Sequence, residues 1–259
     1  MRPRWNTGPA EIVLVRHGHS VGNLADSRAR EQGAERLDLD ARDADVQLSE
    51  TGQAQADAVA DWLARAGDDE VPTAVLTSPY RRASETASRV VAGRGLEPVL
   101  DERLRERDLG VFDGLIGVGI KAHYPEEAER RQKLGKFYYQ PPSGESWADV
   151  VLRVRSLLDD LRHGYDGERV WMFTHQAVIS SFRYVLEEIS EEDLLEIDRE
   201  TPIPNASFTR YRRSDMVFEL DHFADTTAVD HSDAEVTREP RHDGAHGASG
   251  SSAATEDAQ

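Results

Sequence analysis

An α/β fold with a largely parallel central sheet is expected from three observations. Short apolar runs of buried-strand type alternate with amphipathic helical stretches, turn-forming residues separate them, and titratable residues follow directly on several strands. The first run, EIVLVR at 11–16, is almost continuously apolar, as a strand covered on both faces must be. Residues 48–66 follow as a helix, with Ser49 as N-cap and Gly67 as stop. TAVLT at 73–77 is a second strand, 81–92 a helix ended by Gly93, and 98–100 a short third strand. The clearest helix spans 145–162, where Trp147, Val150, Val151, Val154, Leu157, Leu158 and Leu161 recur at steps of three and four. RVWMFT at 169–174 is a fourth strand that feeds a helix at 177–188. Residues 207–212 and 216–222 read as two closing strands around a Ser-Asp turn. In sheets of this kind ligands bind outside the C-terminal ends of the strands, so the residues just beyond them are the candidates for chemistry.

Composition narrows the function classes. The 259 residues include no cysteine, which excludes disulfide scaffolds, cysteine–zinc sites, iron–sulfur clusters and thiol nucleophiles. Thirty-one basic residues against 49 acidic ones give a net charge of −18, a surface that repels nucleic acid and anionic membranes. No apolar run approaches the roughly 18 residues of a membrane helix, and IVLV is too short for a signal-peptide core. A cytoplasmic protein is therefore expected; no pattern speaks to oligomeric state. The folded unit is expected at 10–223, preceded by a flexible leader at 1–9. Residues 224–259 are expected to be a disordered acidic tail. Apart from alanine their only aliphatic residues are Val229 and Val236, and eight acids face two arginines.

The chemistry concentrates at strand ends. Two strands run straight into histidine, in LVRHGHS at 14–20 and MFTHQAV at 172–178. Gly18 lets the chain turn sharply and present the His17 ring. The second strand runs into SPYRRASETA at 78–87, where two arginines open a helix. Cations there oppose the helix dipole, and a bound anion removes the conflict. LRERDLG at 104–110 places Glu106 just after the third strand. His17, His19 and His175 could begin a metal site, but no further ligands accompany them and the arginines repel a cation. Neither metal nor cofactor is expected.

Together these elements resemble the histidine phosphatase superfamily, in its phosphoglycerate mutase-like branch. The matching elements are Arg16-His17-Gly18 with Asn23 six residues beyond His17, LSETGQAQA at 48–56, SPYRRASETA, RERDLGVFDG at 105–114, SGES at 143–146 and THQAV at 174–178. They occur in the family's order over essentially all of 11–220. The resemblance implies a three-layer α/β/α fold and a metal-independent phosphomonoesterase acting on a small phosphorylated metabolite. It implies His17 as the nucleophile that becomes a covalent phosphohistidine. Glu106 would protonate the leaving alkoxide and then activate water, while Arg16, Asn23, Arg82 and His175 bind the phosphoryl oxygens. Arg82 rather than Arg81 is the clamp, because it directly precedes Ala83.

The runs RERDLGVFDG and LGKFYYQPPSGESWADVVLRV are more similar to a phosphatase subgroup than to a glycolytic mutase. A mutase-type phosphoryl transferase is the alternative, with Arg130, Arg131, Lys133 and Lys136 as a carboxylate clamp. HQAV is similar to the bisphosphatase half of the bifunctional fructose-2,6-bisphosphate enzyme, which makes a sugar phosphatase the second alternative. A non-catalytic phosphate-binding protein would have lost His17, Arg82, Glu106 or His175, and all four are present. His19 stands where many members have Glu and is expected to be partly exposed and dispensable. Segments 24–47 and 115–142 are expected to be irregular and to contact substrate.

Overall fold

The computed structural model of the protein describes residues 4–239. One sheet contains β1 (Glu11–Arg16), β2 (Ala74–Thr77), β3 (Val99–Leu100), β4 (Arg169–Thr174), β5 (Phe208–Ser214) and β6 (Val217–Asp225). Their order is β3-β2-β4-β1-β5-β6; the pairings among the first four are parallel, and β1–β5 and β5–β6 pair antiparallel. The helices are α1 (Val21–Gln32), α2 (Glu50–Arg65), α3 (Arg81–Val90), α4 (Gly117–His123) and α5 (Pro125–Leu134). They continue with α6 (Trp147–Gly164), α7 (Gln176–Glu187), α8 (Glu191–Glu200) and the short α9 (Thr227–Asp230). Among the described residues no helix is long and apolar enough to cross a membrane.

Side chains alternate across a strand, and the central strands divide their apolar residues between two layers accordingly. Ile12, Leu14, Val170 and Met172 pack with α6, α7 and Leu194 of α8. Val13, Val15, Trp171 and Phe173 pack with Ala56, Val59 and Leu63 of α2 and with Ala87 and Val90 of α3. The result is the three-layer α/β/α arrangement. Helix starts follow local chemistry: Ser49 accepts from the Gly52 N–H, and Ser146 forms a reciprocal cap with Asp149.

Register is what positions the site. Arg16 pairs with Thr174 in the parallel β1–β4 ladder, and the His17 N–H donates to the Thr174 carbonyl at 2.9 Å. The two strands therefore end level, and their next residues, His17 and His175, stand side by side. Thr77 of β2 pairs with Phe173, so Ser78 and the start of α3 reach the same rim.

Several expectations are corrected. In the leader expected at 1–9, Trp5, Gly8 and Pro9 are buried, while 1–3 lie outside the described residues. Trp5 is buried, its backbone N–H donates to the Met216 carbonyl at 2.7 Å, and its ring meets Phe218 edge-on at 4.9 Å. The tail expected at 224–259 is folded through 239, with Ala228 and Val229 fully buried against the α2 side of the sheet; 240–259 lie outside the described residues. Averaging composition over the whole tail diluted 224–239, which holds both of its valines. The segments expected to be irregular contain α1, α4 and α5. Gly67 does not stop α2: Ala66 already leaves the helix in an extended conformation (φ −68, ψ 154).

Candidate active site

His17 and His175 are buried, with ring centroids 5.0 Å apart. Nδ1 of His17 lies 2.8 Å from the Gly18 carbonyl. A carbonyl only accepts, so Nδ1 carries the proton and Nε2 holds the lone pair. Burial, reinforced by Arg82 and Arg16, holds the His17 pKa well below the usual histidine range. Burial, then Arg82 and His17, does the same to His175. Both rings are thus neutral at pH 7.

Two glycines from different motifs make the His17 turn possible. A Cβ on Gly18 would lie 2.5 Å from the Gly52 carbonyl oxygen, and one on Gly52 would lie 1.9 Å from that of His19. The turn after β1 and the start of α2 cross where no side chain fits. Gly18 N–H then donates to Thr86 Oγ1 at 3.0 Å, and His19 N–H to Gln55 Oε1 at 2.8 Å.

Donors for an anion converge beside His17. Arg16, only 1% exposed, donates through Nη1 to the Ile203 carbonyl and through Nη2 to the Glu239 carboxylate. Asn23 lies in the first turn of α1, and its Oδ1 accepts from the Ser20 N–H at 3.0 Å. Its Nδ2 is thereby turned outward and donates to the same Glu239 Oε1 at 2.8 Å. Arg82, buried in the first turn of α3, is held by both carboxylate oxygens of Asp43 at 2.9 and 3.2 Å. Arg81 is half exposed and pairs with Glu85 at 2.7 Å, so Arg82 is the arginine that faces the histidines. His175 Nε2 lies 2.9 Å from Ser78 Oγ. Its buried Nδ1 has no hydrogen-bond partner among the described residues.

The acid loop is tied to the same rim. Glu106 Oε1 accepts from the Arg107 N–H at 2.8 Å. Desolvation raises its pKa, Glu239 adds to the rise, and the Arg107 N–H, Arg82 and Arg16 oppose it. Arg153 of α6 donates to the carbonyls of Arg103 and Glu106 and is itself paired with Glu145 at 3.1 Å. Thr174 Oγ1 donates to the Leu104 carbonyl at 2.7 Å, fastening the loop to β4. Asp108 points elsewhere: it is exposed, and its Oδ1 accepts from the Gly110 N–H at 2.7 Å.

All six residues singled out in the sequence, Arg16, His17, Asn23, Arg82, Glu106 and His175, meet at this rim. Sequence reasoning missed four neighbours. Ser78 stood in a quoted motif without a role, and Asp43 lay in a segment read as irregular. Asp198 is bound to Gln176 at 3.2 Å and to Lys136 at 2.9 Å. Glu239 was assigned to the tail. Of the four basic residues weighed as a clamp, Arg130, Arg131 and Lys133 are exposed on α5. His19 is partly exposed, and its Nδ1 lies 2.8 Å from Ser49 Oγ. Among the described residues no group of three or more His, Asp or Glu is arranged to hold a metal ion.

The family model described as histidine phosphatase superfamily (branch 1) matches residues 12–226. A bifunctional protein of Mycobacterium tuberculosis is 34% identical over 181 residues, 67% of this chain and 44% of that protein. The chain thus spans less than half the length of that relative. Phosphoserine phosphatase 1 of Hydrogenobacter thermophilus is 31% identical over 166 residues, covering 64% of this chain and 70% of that protein. A mycobacterial glucosyl-3-phosphoglycerate phosphatase, solved with inorganic phosphate, is similar at a TM-score of 0.66 and 26% identity, covering 85% of this chain and 99% of the other.

Proposed function

The chain belongs to the histidine phosphatase superfamily, and from that premise we propose that it hydrolyses a small phosphomonoester through a covalent phosphohistidine on His17. One observation carries the reading: a neutral histidine, with its lone pair assigned to Nε2, lies beside donors that already grip an anion. The Glu239 carboxylate, held by Arg16 and Asn23, marks the seat that a phosphoryl group would take.

In the first step Nε2 of His17 attacks phosphorus, forming a P–N bond as the P–O ester bond breaks. Arg16, Arg82, Asn23 and His175 donate to the non-bridging oxygens, and the two guanidinium groups neutralise the charge spread over them. His175 Nδ1, buried without a partner, would gain one there. Glu106 gives its proton to the departing alkoxide. In the second step a water attacks phosphorus, loses a proton to Glu106 and displaces Nε2, releasing phosphate and restoring both residues. The fixed guanidinium groups would supply the positive charge that a metal otherwise provides, and the neutral imidazole and amide N–H groups would add hydrogen bonds.

The phosphatase names of two relatives support hydrolysis over mutase transfer, and the exposure of Arg130, Arg131 and Lys133 leaves a carboxylate clamp poorly assembled. The test is phosphate release from a panel of phosphomonoesters in EDTA, with rapid quenching to trap labelled enzyme. Turnover in chelator and an acid-labile phosphate that His17→Ala lacks are expected. Loss of turnover on chelation with recovery on zinc or magnesium, or undiminished labelling of the variant, would overturn the proposal.

A further inference from the structure

Resting on the phosphatase reading, we propose that segment 226–239 is an intramolecular strap that seats Glu239 in the phosphate pocket as a competitor of the substrate. The strap is anchored at both ends. At its start, Ala228 and Val229 are buried in the α2-side core. Toward its end, Gln55 of α2 donates through Nε2 to the Glu235 carbonyl at 2.7 Å and to Thr237 Oγ1 at 2.9 Å. Asn205 accepts from Thr237 Oγ1 at 2.9 Å, and the Asn205 N–H donates to the Thr237 carbonyl at 3.0 Å.

The same two side chains hold the nucleophile turn. Gln55 Oε1 accepts from the His19 N–H, and Asn205 Nδ2 donates to the His17 carbonyl at 3.1 Å. Gln55 and Asn205 therefore fix the strap relative to His17, and Glu239, two residues past Thr237, meets Arg16 and Asn23. A carboxylate offers the planar, anionic oxygens that guanidinium groups recognise in place of phosphate. Arg16 is buried with Nη1 committed to the Ile203 carbonyl, and Glu239 occupies the side of Nη2 that a phosphoryl oxygen would take; two anions side by side there would repel, so one excludes the other. Arg82 is neutralised likewise by Asp43. The Glu239 side chain retains 27% exposure, which lets it leave while Arg16 stays. The pocket is occupied by the chain itself, and an incoming phosphate must displace the carboxylate.

If the strap leaves the pocket open about a tenth of the time, apparent phosphate affinity is lowered about tenfold. Calorimetric titration of inorganic phosphate into the full chain and into Glu239→Gln, with Glu235→Gln as the control on the same strap, reads this directly. Glu239→Gln is expected to bind phosphate about tenfold more tightly and Glu235→Gln within about twofold of the parent. Hydrogen exchange of amides in 226–239 should accelerate when phosphate saturates the parent protein. Equal affinity of parent and Glu239→Gln would overturn the strap and leave the phosphatase reading standing. Weaker binding by Glu239→Gln would make Glu239 part of the binding machinery and overturn the strap as a competitor. Phosphate binding by none of the three proteins would remove both readings.

Discussion

Replacing Glu106 with Gln keeps the side-chain shape and the bond from the Arg107 N–H but removes the proton that a leaving group needs. An alkyl alkoxide is strongly basic and leaves slowly unless protonated, whereas nitrophenolate needs little help. General acid catalysis is worth about 10²–10⁴-fold, or about 2.7–5.4 kcal/mol of barrier. Desolvation raises the Glu106 pKa while the Arg107 N–H and two arginines restrain it, so a mid-range loss is expected. For an alkyl phosphate, kcat/KM of Glu106→Gln should fall about 10³-fold; for nitrophenyl phosphate it should fall less than about tenfold. With the alkyl ester, kcat/KM of the parent should also decline as pH rises through the Glu106 pKa, a limb absent from the variant. Asp108 is exposed and turned into its own loop, so Asp108→Asn should stay within about threefold on both esters. Steady-state rates with the two esters in the two variants decide the matter. If Glu106→Gln lowered both equally, or if only Asp108→Asn were sensitive to the leaving group, the proton donor would have been misassigned.

His19→Ala should retain about a tenth or more of parental turnover, because its ring engages Ser49 rather than the anion seat; a loss matching that of His17→Ala would show the two rings acting as a pair. Val229→Ala deletes two buried methyl groups of the strap anchor, worth about 1.6 kcal/mol and about 3–6 °C in Tm. An unshifted melt would mean that the strap does not pack. Burial lowers the folded pKa of His17 and His175 well below that of a free histidine, about 6.5, so the unfolded chain binds more protons. Stability should begin to fall as pH drops through about 6.5, by up to about 1.4 kcal/mol per pH unit for each histidine, until the folded values are reached. Denaturant titrations of the parent and of His17→Asn/His175→Asn should differ in this slope; equal slopes would contradict it.

What the sequence disclosed depended on how locally each feature is encoded. The strand runs EIVLVR and RVWMFT are apolar enough to be recognised alone, and a histidine directly after each places the reactive pair once the strands are parallel. The two-glycine crossing was only half legible. Gly18 and Gly52 each stand in a quoted motif, but their contact is a tertiary fact. Helix α1 was hidden because its sequence, VGNLADSRAREQ, buries only Ala25 and Ala29. Its Ser20–Asn23 cap departs from the usual Ser/Thr-x-x-Glu/Gln pattern. Helix α8 carries a legible start signal in Ser190, three acids in its first turn and the apolar Leu194. Trp5 and Glu239 were missed for a common reason. Composition says how much apolar area a segment carries, whereas docking depends on whether the folded body has partners for it. Met216, Gln55 and Asn205 supply those partners.

The central claim, transfer through His17 rather than direct attack by water, is tested most directly by the stereochemical course at phosphorus. Each in-line displacement inverts the phosphorus centre, so two successive displacements restore it. Hydrolysis of a phosphomonoester made chiral with oxygen isotopes and sulfur should therefore give inorganic thiophosphate of retained configuration, whether or not the intermediate accumulates. Inversion would mean a single displacement by water and would contradict the account.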